Sequence, residues 1–239
     1  MKLLVASDLH YKLKQFDWLA SHADEFDAVI LAGDLLDISS YLDLNMQIDV
    51  ISKCLARISD KTHLLVCSGN HDGNEKNPHD EFIAPWLQKI RQDRLHVDGD
   101  NVHFGDTLVT IFPWWDGDIT KSEVAAQIAT ASQQDCKTWV WVYHAPPDQS
   151  PTSWAGNRFI GDMELNKWME TYQPDVVISG HIHESPFKKD GSWHDRMGKT
   201  WIFNAGNNIG EVPAHIILDL DAMKAQWVSL AGIEEMAIT

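Results

Sequence analysis

The chain alternates short, continuous apolar runs with longer amphipathic stretches. Leu3-Leu4-Val5-Ala6, Ala28-Val29-Ile30-Leu31-Ala32 and Leu64-Leu65-Val66-Cys67 have the unbroken apolar character of strands buried on both faces. A helical stretch around residues 16–24 separates the first two. Between the second and third, Leu44, Ile48, Ile51, Leu55 and Ile58 recur at helical spacing, giving a helix with one apolar face. This βαβαβ order predicts a parallel core sheet covered on both faces. Further along, the pattern predicts helices over 80–91, 122–133 and 162–172, and strands over 108–112, 139–143 and 176–178. The end of the chain changes character. Lys189-Asp190-Gly191-Ser192 is a turn signal, and short strands are expected over 200–203, 215–220 and 226–230. A β-rich tail after an α/β start predicts a second sheet. No repeat, low-complexity segment or long linker interrupts the 239 residues, so one domain over 1–239 is expected.

The polar residues are informative by position. After the first strand comes Ser7-Asp8-Leu9-His10, after the second Gly33-Asp34-Leu35-Leu36-Asp37, and after the third Ser68-Gly69-Asn70-His71-Asp72. His144 follows the strand ending at Tyr143, and Ser179-Gly180-His181-Ile182-His183 follows the strand at 176–178. Every cluster lies just past the carboxyl end of an expected strand, the edge where open α/β sheets bind ligands. Such a rim would gather Asp8, Asp34, Asn70, His10, His144, His181 and His183. Imidazole and carboxylate suit borderline divalent metals such as Mn, Fe, Zn or Co. Thiolate is missing, which argues against a structural zinc or an iron–sulfur site. Seven ligands suit two ions sharing a bridge. A pair about 3.5–4 Å apart stabilises in-line displacement at phosphorus and lowers the pKa of bound water. Gly33, Gly69 and Gly180 each precede a proposed ligand, where the backbone must turn sharply and come close. His181 and His183 would face the same way in an extended segment, whereas a turn could aim them at different ions.

Composition refines this picture. Lys plus Arg is 19 and Asp plus Glu is 35, a formal charge of −16, which argues against long nucleic acid and anionic membrane surfaces as partners. It does not exclude a local positive site made by metal ions. The excess of histidine, 12 residues, is largely accounted for by the rim. Cys54, Cys67 and Cys136 form neither a disulfide framework nor a metal-type pair, and two lie in apolar runs as expected of inert core thiols. The N-terminal apolar run is too short for a signal peptide, and no run is long enough to span a bilayer. A reducing cytoplasm is the expected compartment. No pattern specifies an oligomeric state.

The set Asp8-x-His10, Gly33-Asp34-x-x-Asp37, Gly69-Asn70-His71-Asp72, His144 and Gly180-His181-x-His183 resembles the calcineurin-like metallophosphoesterases, with all five motifs in family order. The resemblance implies a four-layer α/β/β/α sandwich with two mixed β-sheets. It implies that Asp8, His10 and His183 hold one ion, that Asn70, His144 and His181 hold the other, and that Asp34 bridges them. A metal-bridging hydroxide would attack phosphorus. His71 would face the scissile phosphate and act on the leaving oxygen, Asp37 would orient His71, and Asp72 would support the loop. Two divalent ions are implied, with Mn favoured.

Branches of the family are disfavoured by detail. Phosphoprotein phosphatases follow the second Asp of GDxxD with Arg-Gly, where this chain has Ile38-Ser39. Lipid A-precursor pyrophosphohydrolases carry Arg in place of His71. The repair nucleases are longer and carry DNA-binding charge. The expectation is therefore a small, uncapped, bacterial-type phosphodiesterase acting on a small organic or nucleotide phosphoester. The alternatives are a phosphomonoesterase and a metal-binding interaction protein with little catalysis. Trp114 and Trp115 are either core packing or the wall of a substrate cleft. Arg158 is either a phosphate partner or a solvated surface residue. Asn204-Ala205-Gly206 is expected to shape the same rim without chemistry of its own. The remaining histidines are read as surface or core residues.

Overall fold

The computed structural model describes residues 1–238. The three apolar runs become β1 (Lys2–Ala6), β2 (Ala28–Ala32) and β3 (His63–Cys67), joined through α1 (Leu13–His22) and α2 (Leu44–Ser59). A small hairpin of β4 (Glu75–Lys76) and β5 (Phe82–Ile83) precedes α3 (Pro85–Ile90) and β6 (Leu95–His96). The middle of the chain forms β7 (Asn101–Phe104), β8 (Thr107–Ile111), α4 (Asp118–Ala131), β9 (Thr138–Val142), α5 (Met163–Tyr172) and β10 (Val176–Ser179). The tail adds β11 (His194–Met197), β12 (Thr200–Asn204), β13 (His215–Asp219), β14 (Lys224–Ser229) and β15 (Gly232–Ala237).

Two mixed sheets result. The first runs β15-β14-β13-β1-β2-β3-β6, with β1, β2, β3 and β6 parallel and β13 antiparallel to β1. The second runs β11-β12-β10-β9-β8-β7, parallel inside with antiparallel edges. Alternation along each strand then sets the layers, because successive side chains point to opposite faces. Leu4, Val29, Leu31, Leu64 and Val66 pack against Phe16, Leu19, Ile51, Leu55 and Ile58 of α1 and α2. Leu3, Val5, Ile30 and Leu65 point the other way and meet Val109, Val140, Val142, Ile178 and Phe203 of the second sheet. Leu108, Trp141, Val177 and Ile202 pack beneath Val124 and Ile128 of α4 and Leu165 and Met169 of α5. Helix, sheet, sheet and helix follow one another, as the resemblance implied. Among the described residues, no helix is long and apolar enough to cross a membrane.

Three expectations change. The helix expected over 80–91 shrinks to Pro85–Ile90. Proline disfavours the α conformation in the residue before it, and Ala84 accordingly sits at φ −114°, ψ 61°. Phe82–Ile83 pairs with Glu75–Lys76 instead. Helix α4 starts four residues before the expected Ser122, because Glu81 caps it from a distant loop. Its carboxylate accepts the N–H groups of Ile119 (2.9 Å) and Thr120 (2.8 Å). The tail does not make a sheet of its own either. β11 and β12 extend the second sheet, which begins at β7, whereas β13 to β15 complete the first against β1.

The inter-sheet core gives a direct contrast. Ile30 is fully buried between the sheets, so Ile30→Ala should cost about 2–5 kcal/mol in urea unfolding. Ile233, 66% exposed on the edge strand β15, should tolerate Ala within about 0.5 kcal/mol.

Candidate metal centre

The parallel register of β1, β2 and β3 brings the loops after them to one edge, and backbone hydrogen bonds carry the pairing beyond the strands. Asp8 N–H donates to Gly33 O (3.0 Å), His10 N–H to Asp34 O (3.0 Å) and Tyr11 N–H to Leu35 O (2.9 Å). Asp72 stitches the third loop to the second. Its Oδ1 accepts from Leu35 and Leu36 N–H and its Oδ2 from Gly69 N–H, at 2.8–3.0 Å. The contacts are too close for larger residues. A Cβ on Gly33, which has φ +86°, would strike the His144 ring, and one on Gly69 would strike the Asp34 carboxylate.

The second sheet supplies the opposite wall. His144 is fully buried, and its Nδ1–H donates to Ala32 O of the first sheet (2.7 Å). In the neutral ring this bond fixes the tautomer with Nε2 as the lone-pair nitrogen, and Nε2 is buried without a hydrogen-bond partner. That nitrogen lies 3.2 Å from Asp34 Oδ2 and 3.9 Å from Asp8 Oδ1. The loop after β10 reaches across as His181 N–H donates to the Asp8 carboxylate (3.0 Å). Asn204, fully buried, holds this loop from behind. Its amide N–H groups are shared among Gly180 O, Ile182 O, Thr152 O and Ser185 Oγ, each at 3.1 Å.

Two overlapping donor groups emerge. Ligand atoms of Asp8, His10, Asp34 and His183 lie within 4.8 Å of one another, as do those of Asp34, His144 and His181. Asp34 belongs to both. The left-handed turn at His181 (φ +67°) separates the two histidines of the last loop, so that His183 joins the first group and His181 the second. His10 Nε2 and His183 Nε2 approach to 2.9 Å, and His183 Nε2 lies 3.2 Å from Asp8 Oδ1. Inward-facing imidazole nitrogens around two buried carboxylates are the donor set a divalent cation requires, so the residues fit a metal pair. Asn70 is exposed next to Gly69 and lines a small cavity with Ser68 and Trp114. His71 N–H donates to Asp34 Oδ1 (2.8 Å), and its ring stands edge-on to His10 at 4.6 Å between centroids. Ligand atoms of His71, His10 and Asp37 also lie within 4.8 Å of one another.

The electrostatics follow from burial and from the two carboxylates. Burial alone would raise the pKa of Asp34. The neighbouring His144 and the His71 N–H outweigh it and hold the carboxyl well below its ordinary range. Burial likewise opposes charge on His144, yet Asp34 and Asp8 raise its pKa to about 9. His181, desolvated and beside His144, is held down at about 4 and is neutral as a ligand must be. Four of the proposed ligands also occupy the left-handed backbone region: Asp8 (φ 56°), His10 (42°), Asp34 (55°) and His181 (67°). Each costs about 1–2 kcal/mol, and strain of this kind concentrates at functional sites.

Several supports escaped the sequence reading. Gln47 on α2 is fully buried, with Oε1 accepting Asp37 N–H (2.8 Å) and Nε2 donating to Asp37 O (3.0 Å). The signal was a polar residue on the buried face of the helix, one turn before Ile51. Asp98 Oδ1 accepts Ser68 N–H (2.8 Å), and Ser68 Oγ in turn accepts Trp114 N–H (2.9 Å). Trp114 packs beside His181 and His144, with ring centroids at 5.4 and 5.7 Å. Trp114, Trp115 and His181 line one cavity of about 420 Å³. Arg158 is exposed and, among the described residues, does not line it.

The comparisons with known proteins agree with this architecture. The model of the calcineurin-like phosphoesterases matches residues 1–185, a span that contains all five motifs. The chain belongs to that family of metal-dependent phosphoester hydrolases, which uses a dinuclear divalent metal centre. Among solved structures, TT1561 of Thermus thermophilus is similar at a TM-score of 0.62 and 13% identity, covering 100% of this chain and 99% of that one. The purple acid phosphatase PPD1 from yellow lupin (Lupinus luteus) seeds gives 0.60 and 13%, covering 100% of this chain and 51% of its own. A dimetal phosphatase from Danio rerio gives 0.58 and 10%, with 100% and 98% covered. At such identities the likeness concerns the fold. A search of curated protein sequences gives no match.

Two stability outcomes are expected. Both His181→Gly and His181→Ala remove the imidazole, but only Gly adopts φ +67° freely, so the Gly variant should be more stable by about 1 kcal/mol in denaturant titration. Burial raises the Asp98 carboxyl to about 7 in the folded protein. The folded state therefore holds its proton more tightly than the unfolded chain. Stability from this group is present at low pH and is lost as pH rises from about 4 to about 7. Asp98→Asn, which can still accept the Ser68 N–H, should flatten that fall and exceed the parent protein in melting temperature at pH 8.

Proposed function

We propose that the protein is a dinuclear-metal-dependent phosphoester hydrolase that prefers diesters of small organic or nucleotide type. The observation that carries this reading is the pair of donor groups sharing Asp34 at the seam of the two sheets. Two divalent ions, when bound, supply charge neutralisation for the phosphoryl oxygens and a water acidic enough to yield a nucleophile at neutral pH. Imidazole, carboxylate and amide donors without thiolate suit Mn, Fe, Zn and Co alike, and of these manganese is the ion we favour.

The residues divide the work. Asp8, His10 and His183 would hold one ion, Asn70, His144 and His181 the other, and Asp34 would be shared. His71 sits half-buried at the edge of this cluster, with Nε2 3.9 Å from Asp34 Oδ2. There it protonates the leaving oxygen. Asp37, clamped through its backbone by Gln47, lies beside His71 and orients it. The preference for diesters rests on charge. The nearby ammonium of Lys12 is engaged by Asn207 and by Asn208 O, so little side-chain cation is left for the second charge of a monoester dianion. The acidic surface disfavours long nucleic acid. Cys54, Cys67 and Cys136 are free thiols, which suits a reducing cytoplasm.

The test pairs metal content with turnover in manganese-supplemented protein. Asp34→Asn should lose at least one ion per chain and nearly all activity. His71→Ala should keep both ions and slow hydrolysis by about 10²–10⁴-fold. A bis-aryl phosphate should turn over faster than the matching aryl monoester. Absence of bound metal together with no turnover of either ester would end the enzyme reading, and faster monoester turnover would end the diester preference.

A further inference from the structure

Beside the second donor group, His181 opens onto a cleft of about 420 Å³ that the metal chemistry does not use. Its walls are Trp114, Trp115, Tyr143, Ile160 and Met163. Met163 is 68% exposed and Ile160 39% exposed, so apolar surface continues from the indoles to the rim without a covering element. Isolated exposed apolar residues are ordinary, but here they extend an aromatic wall that leads to a proposed ligand.

The walls are held rigidly. Asp162, 8% exposed, accepts from Trp115 Nε1–H (2.8 Å) and from Tyr143 OH (2.9 Å) through the same oxygen. Its other oxygen caps α5 by accepting the N–H groups of Glu164 (2.7 Å) and Leu165 (3.2 Å). One carboxylate thus fixes both the indole and the helix that carries Met163. On the far side, Asp116 accepts Phe82 N–H (2.9 Å), which ties the other end of the Trp114–Trp115 segment to the small hairpin.

The charges of the cleft exclude one kind of occupant. Asp116, Asp162 and Glu164 line it. The opposing cation, Lys121, is paired with Asp118 at 3.0 Å and lies over the Trp115 ring at 5.5 Å. A second phosphate or carboxylate on the substrate would meet like charge with no free cation to offset it. Trp faces and a Met rim favour a flat apolar group.

We propose that this cleft is the specificity subsite for an uncharged planar aromatic substituent of the phosphoester, an aryl ring or a nucleobase. The assignment rests on the metal-site reading, because the phosphoryl group must sit at the ions for its substituent to reach Trp114. Non-hydrolysable phosphonates test it without turnover, by calorimetric titration of the manganese-loaded protein. Phenylphosphonate should bind about tenfold tighter than methylphosphonate, and phosphonoacetate more weakly than methylphosphonate. Trp115→Ala should bring the phenyl-to-methyl ratio towards one. Met163→Ala, a surface change with little risk to folding, should lower the same ratio severalfold. Equal affinities for phenyl- and methylphosphonate, or a ratio insensitive to both variants, would overturn the cleft assignment and leave the metal site standing. Tighter binding of 2-aminoethylphosphonate than of phenylphosphonate would overturn it in favour of a cationic group. Failure of every phosphonate to bind would overturn the metal-site reading and the assignment with it.

Discussion

Asp8 and Asp34 are carboxylates removed from water, and the rest of the centre exists to make that tolerable. A buried charge is stable only when it is paired and hydrogen-bonded. Here Asp34 takes the N–H of His71 and faces His144, while Asp8 takes the N–H of His181 and faces His183. The two carboxylates in turn raise the pKa of His144, so the site favours positive charge. The same preference is what gives such a site affinity for divalent cations, and it explains how a chain of net charge −16 can attract an anionic ester locally.

Neither sheet could build this centre alone. The first contributes Asp8, His10 and Asp34 from loops after β1 and β2, and the second contributes His144, His181 and His183 from loops after β9 and β10. The two halves are joined by hydrogen bonds from His144 to Ala32 O and from His181 to Asp8, at the edge of the apolar layer that contains Ile30 and Val140. Packing between the sheets therefore sets ligand geometry, and a cavity in that layer would be felt at the donor atoms. The left-handed backbone at Asp8, His10 and His181 is held by hydrogen bonds between these loops.

Much of this was legible in the sequence because it is local. Unbroken apolar runs marked the interior strands, and a polar cluster directly after each run marked the rim. What escaped depends on distant parts of the chain. The early start of α4 needs the carboxylate of Glu81, about 40 residues away, and no local pattern announces it. Gln47 and Asp98 act through backbone groups of other loops, so their spacing carries no motif. The destination of the tail strands was hidden because short strands specify their own faces but not which sheet edge they join. The shortened α3 was avoidable, since Pro85 alone restricts Ala84.

The position of β13 beside β1 has a consequence for how the molecule comes into being. β1 precedes every other described strand, yet one of its two edges is filled only by His215–Asp219, more than 200 residues later. During synthesis that edge stands unpaired while the helices and the second sheet accumulate, and an open strand edge is a template for wrong partners. The segment beyond the family match thus acts as a closing clasp. The loop bearing Asp8 and His10 is seated on a strand that stays half-paired until β13 has emerged.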